Sequence, residues 1–162
     1  WPGPTDAPGS QAANALYQVD STVEPTGAPY YRLILTPSEK AAFDAIPDTA
    51  SNTTFNATLV TEIAGDIEVR HACGQRLRGA GSRNDLPRSV RINVPNDNLW
   101  QEKSSMNLNS HYSWLERLGA HFSQSGGLPT AYTALVQVRM QTDFSADIVQ
   151  LLKVVFMLNT LP

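Results

Sequence analysis

The stretch from Phe55 to Leu77 constrains the fold more than any other part of the chain. Phe55, Ala57, Leu59 and Ile63 share one parity of an alternating run, Ala64, Gly65 and Asp66 follow as a turn, and a second alternating run begins at once. Two period-two runs hinged on a glycine-bearing turn make a β-hairpin, since a strand sends successive side chains to opposite faces and a tight hairpin needs positive φ at its tip. On the second arm the alternation predicts Ile67, Val69, His71, Cys73 and Leu77 inward and Glu68, Arg70, Arg76 and Arg78 outward. A hairpin of this kind commits the chain to an antiparallel sheet.

Other segments extend that sheet. Tyr30 to Leu35 alternates Tyr31, Leu33 and Leu35 against Arg32; Val90, Ile92 and Val94 alternate against Arg91 and Asn93; Ser105 to Asn109 carries Met106 and Leu108; and Tyr132 to Met140 alternates throughout. Two helices are expected between them. Thr36, Pro37 and Glu39 form a capping box that starts a helix reaching about Ile46, and Pro47 stops it. Ser113 and Glu116 suggest a second capping box, with Trp114, Leu115, Leu118 and Phe122 at helical spacing up to about Gln124. A third helix is expected from Phe144 to Leu158, capped by Asp143 or Ser145, with Ile148, Leu151, Leu152, Val155 and Leu158 as its stripe. The class expected is therefore α+β, a mainly antiparallel sheet with two or three helices. Residues 1–29, rich in Pro, Gly, Ser and Thr, read as a linker or extended arm in which only Leu16 to Val19 could pair with a sheet edge.

Composition bounds the function. At 162 residues the chain has a one-domain length and can bury roughly 70% of its unfolded surface. A net charge of −3 argues against a nucleic-acid binder, and one cysteine, Cys73, excludes an internal disulfide and any multi-cysteine metal site. No apolar run reaches the roughly 18 residues of a membrane span. The absence of an initiator methionine suggests a soluble piece of a longer or processed product. Asn52 and Asn56 fit the glycosylation pattern, which matters only in a eukaryotic secretory route.

Against this mildly acidic background one segment is basic. Arg76, Arg78, Arg83, Arg88 and Arg91 gather five of the twelve Lys and Arg around Gly79 and Gly81, between two strands. Glycine permits close backbone approach and a guanidinium matches phosphate oxygens as a fork, so the segment reads either as a bend with solvated arginines or as an anion site. The rest of the chain offers no sharper constellation. His71, His111 and His121 have no second ligand at metal spacing, no serine sits in a Gly-x-Ser-x-Gly elbow, Cys73 reads as a small buried residue, and Trp100 reads as a loop anchor or a stacking platform. No catalytic residue and no metal ligand is assigned.

RLRGAGSR, at 76 to 83, resembles the CotH family of spore-coat-protein-H-type atypical protein kinases. The likeness extends to YRLILTPSE at 31 to 39, NATLVTE at 56 to 62, VRHACGQRLRGAGSRNDLPRSVRINVP at 69 to 95 and the run from Trp100 to Met140, in the family's order. It covers residues 30–140 and is closest to versions in large secreted bacterial proteins, which places the chain outside the cell or on its surface. The resemblance implies the N-terminal half of a kinase-like fold, ATP and Mg²⁺ as cofactors, and Ser/Thr phosphorylation of a protein substrate. It puts Arg78, Gly79, Gly81, Ser82 and Arg83 at the nucleotide side, with Arg88 about where many members carry a lysine near the phosphates. Arg for Lys is not neutral there, because a planar fork and a point charge fit phosphate differently.

After Met140 the chain departs from the family pattern, which continues with an Asn-Gly hairpin and later with the carboxylates that hold metal. Residues 141–162 read instead as a divergent apolar tail. The expectation is a truncated domain that binds nucleotide weakly and transfers no phosphate. The alternative is a non-catalytic extracellular module that holds an acidic partner on its arginine face.

Overall fold

The computed structural model describes residues 28–47, 50–79, 81–141 and 149–157. The Leu16 to Val19 patch, Asp143, Ser145 and the rest of the proposed arm before Ala28 lie outside the described residues. In chain order the elements are β1 (Tyr30–Ile34), α1 (Pro37–Asp44), β2 (Phe55–Ile63), β3 (Asp66–Leu77), β4 (Val90–Asn93), β5 (Ser105–Asn109), α2 (Ser113–Ser125), β6 (Tyr132–Gln141) and β7 (Val149–Met157), with a short 3-10 turn at Gly81–Asn84. The class is α+β with a mainly antiparallel sheet. The seven strands close into a barrel in the order β1-β2-β3-β4-β5-β7-β6, and among the described residues only the β1–β6 pair is parallel.

The barrel is filled by alternating side chains. Tyr31, Leu33 and Leu35, then Phe55, Ala57 and Leu59, and Val90, Ile92, Met106, Leu108, Val136 and Val138 form one buried cluster. Two edge-on aromatic contacts close it: Phe43 of α1 meets Phe55 at 5.7 Å between centroids, and Trp100 meets Tyr31 at 6.0 Å. Trp100 is thus a loop anchor, buried against the sheet, and Gln101 and Glu102 at its tip both take positive φ. The tip of the β2–β3 hairpin does the same at Ala64 and Gly65, the two-residue turn whose twist matches the strands it joins.

The second arm of that hairpin departs from simple alternation. Ala57 pairs with Cys73 but Leu59 pairs with Arg70, so His71 and Ala72 stand opposite Thr58 alone. This is a β-bulge, and Ala72 sits in the left-handed region with φ of 55°. The extra residue exchanges the faces. Below it Ile67 and Val69 are exposed and Arg70 is buried; above it Cys73, Gln75 and Leu77 are buried. The sequence expectation of Ile67, Val69 and His71 inward and Arg70 outward is therefore corrected, because the alternation is interrupted once. Arg70 donates to Leu99 O through Nη2 at 3.0 Å and to Glu68 Oε2 through Nη1 at 2.9 Å, pinning the 95–99 turn to the strand.

Thr36 caps α1 as expected, its hydroxyl accepting from the Glu39 amide at 3.2 Å. The expected box at Ser113 is corrected. The residue at the N-cap of α2 is Tyr112 in a left-handed conformation, and the Ser113 hydroxyl instead donates to Asn109 O at 3.2 Å. The tail is corrected as well. Residues 149–157 form a strand between β5 and β6, not part of a helix. A short apolar run reads equally as buried strand or buried helix, and here the open side of the sheet supplies partners on both edges.

Candidate functional site

The basic bend joins β3 to β4 and is tied down from three sides. At its base the Arg78 amide donates to Ser89 O at 3.0 Å, and the Ser110 amide donates to the Ser89 hydroxyl at 3.1 Å, which fixes the bend to the end of β5. Gly79, at φ of 106°, makes the turn away from the strand. Gly81 and Ser82 fall in the 3-10 turn that follows.

Each guanidinium has acceptors within the chain. Arg83 donates through Nε to Gly79 O at 2.6 Å, through Nη1 to Ser51 O at 3.0 Å and through Nη2 to Asn52 Oδ1 at 3.0 Å. Arg76 shares that Asn52 oxygen at 2.9 Å. Arg88 reaches back to the end of α1, donating to Phe43 O, Asp44 O and Ile46 O at 3.1–3.3 Å with its guanidinium 6.0 Å from the centre of the Phe43 ring. The last carbonyls of a helix lack internal partners, so a cation here satisfies them and complements the helix dipole. Arg91 donates to Asn93 Oδ1 and Ser105 Oγ along the β4–β5 ladder.

Arg78 differs from the others in what lies beyond its acceptor. Its Nη1 donates to Asn109 Oδ1, and Asn109 Nδ2 in turn donates to both oxygens of Glu116 at 3.1 and 3.0 Å. One buried amide thus bridges the guanidinium of a residue just past β3 and a helix carboxylate, its dipole aligned with both charges. Burial lowers the pKa of Arg78 from its ordinary value; the Glu116 charge opposes that shift and Arg91 adds to it. With an ordinary value far above neutrality, Arg78 remains charged, and the carboxylate beyond Asn109 compensates its partial desolvation.

The structure brings Arg78, Gly79, Gly81, Ser82 and Arg83 together on one bend, and sets Arg88 apart on the α1 side. Sequence reasoning missed Asn109 and Glu116. Their spacing of seven, two turns apart by helical count, gave no signal because Asn109 is in a strand and only the left-handed Tyr112 brings the helix back over it. His71 is exposed beside Thr58, at 3.3 Å between Oγ1 and Nδ1, and His121 is exposed on α2. Cys73 is buried, and burial pushes its thiol up to about 11.

Among the described residues no group of three or more His, Cys, Asp or Glu is placed to hold a metal ion. Phosphate at the bend would share donors that already serve acceptors of the chain, main-chain carbonyls for Arg83 and Asn109 Oδ1 for Arg78. No helix among the described residues is long and apolar enough to cross a membrane. Compared with known proteins, the chain matches no family model and no curated protein.

Proposed function

We propose that residues 30–140 are the phosphate-side portion of a CotH-type kinase domain, acting outside the cell or on its surface. The observation that carries the reading is the Arg78–Asn109–Glu116 bridge. Protein kinases position nucleotide phosphates with a basic strand residue held by a helical glutamate. Here a basic residue just past the end of β3, next to the glycine bend, is held to a glutamate in the first turn of α2 through one amide. The RLRGAGSR bend and its flanking segments, in the family's order, support the same reading. In this account Arg83 and Arg88 shape the bend and secure α1, and Arg78 is the residue offered to phosphate.

The described residues provide no carboxylate set for Mg²⁺, so no transfer step is assigned to them. ATP, were it bound, would meet the Arg78 guanidinium and the amides around Gly79 and Gly81. Titration calorimetry with ATP and Mg²⁺ is expected to show weak binding, with Kd near 1 mM, equivalent to about −4 kcal/mol, and no phosphotransfer to a protein substrate. Loss of that binding in Arg78→Ala supports the reading. Tight binding indifferent to Arg78→Ala, or robust kinase activity, contradicts it. The alternative, a module holding an acidic partner on its arginine face, calls for guanidiniums turned to solvent. Arg76, Arg83, Arg88 and Arg91 donate to acceptors of their own chain, as Arg78 does, so it is the Arg78–Asn109–Glu116 bridge that favours the kinase-lobe reading.

A further inference from the structure

The exposed face of α2 is apolar and the face against the barrel is not. Trp114, Leu115, Leu118 and Phe122 are 64%, 64%, 48% and 66% exposed, while Ser113 and Ala120 are buried and Glu116, Arg117 and Ser123 are half-buried. At 3.6 residues per turn the four apolar residues fall within about 100° of arc, and the buried set is centred on the opposite side. The helix is held by polar contacts, Glu116 to Asn109 and Arg117 Nη1 to Thr133 Oγ1 at 3.2 Å. Its far end closes in a Schellman motif, with the Gly127 amide on Gln124 O and the Leu128 amide on Ser123 O, which turns the exposed Leu128 back towards the last turn and Phe122.

We infer that this face docks a second copy of the chain, with the two α2 helices crossing about a two-fold axis at Leu118. Three observations favour that occupant. Trp114, Leu118 and Phe122 lie four residues apart in one ridge, the ridge that packs into its own kind in the commonest helix pairing, and a two-fold at Leu118 sets Trp114 of one copy against Phe122 of the other. Tyr112, Trp114, Leu115, Leu118, Phe122 and Leu128, three aromatic residues and three leucines 48–76% exposed, together present several hundred Å², comparable to the ~800 Å² per partner of a stable interface. The helix's two charged residues, Glu116 and Arg117, both face the barrel, so pairing buries no charge and opposes no like charges.

Sedimentation velocity on the full chain, from low to high micromolar concentration, is expected to show a monomer–dimer equilibrium. Leu118→Asp is expected to raise the dissociation constant at least 100-fold while the circular dichroism spectrum stays as it was and the melting temperature is unchanged at concentrations where the parent chain is monomeric, since Leu118 is not part of the buried core. As a second reading, Leu118→Cys is expected to form a disulfide-linked dimer under mild oxidation, and Ile67→Cys, exposed on β3 away from the axis, is not. Buried Cys73 leaves that assay clean. A chain that stays monomeric throughout, whether another segment of the polypeptide or nothing covers the face, overturns the inference. So does a dimer that Leu118→Asp leaves intact, or equal cross-linking at both introduced cysteines.

Discussion

Arg88 was legible as a basic residue near the bend, but not as the cap of α1. Its three acceptors are carbonyls at and just beyond the C-terminal end of a helix distant in sequence, a relation no local pattern encodes. Arg88→Ala should lower stability by about 1.5–3 kcal/mol, the usual scale for hydrogen bonds to a charged group, and thermal melting followed by circular dichroism checks it. Cys73 was legible as buried, and its thiol, pushed up to about 11, makes a second prediction. A group whose pKa is raised on folding stabilises the fold fully below its unfolded value and loses that contribution as pH rises through the folded one. Stability should therefore fall between about pH 9 and 11, and Cys73→Ala should flatten that part of the pH profile. At pH 8 iodoacetamide should label Cys73 far more slowly in the folded chain than in the denatured one.

At the scale of elements, the strands that alternate without interruption were readable from sequence, and β2 and β5 begin and end where the pattern says. Three features were not. The bulge at Ala72 adds one residue without a glycine to mark it, and one inserted residue exchanges the faces of everything on one side. Ala72→Gly relieves a left-handed conformation that costs a residue with a Cβ about 1–2 kcal/mol, so a rise in melting temperature is expected despite glycine's greater entropy loss; an unchanged or lower value would mean the strain is absorbed elsewhere. The helix expected in the tail is a strand over 149–157 because pairing on two edges outweighs a stripe. The orientation of α2 is the third. Hydrophobic periodicity gave its length, yet its apolar stripe faces away from the barrel. Burying each of Trp114, Leu115, Leu118 and Phe122 would contribute about 1.5–3 kcal/mol, more than the Arg117–Thr133 bond that holds the other face at about 1 kcal/mol. A helix that forgoes that burial against its own barrel presents the surface to something else.

For the molecule as a whole, the sheet closes because β7 fills the gap between β5 and β6, and β1 joins β6 in parallel. That closure places the end of β3, the end of β5 and the start of α2 together, and so assembles Arg78, Asn109 and Glu116 from three separate elements. The candidate site is thus a product of topology, which is why the sequence showed its arginines and hid its glutamate. The kinase-lobe reading depends on that coupling. Its most direct test is calorimetric titration of ATP and Mg²⁺ into the full chain beside Glu116→Gln, which retains an acceptor for Asn109 but removes the charge. Weak nucleotide binding in the parent chain is expected to fall several-fold in Glu116→Gln and to be lost in Arg78→Ala, with both variants folded. Binding that is identical in all three, or absent from the parent chain at millimolar nucleotide, would contradict it.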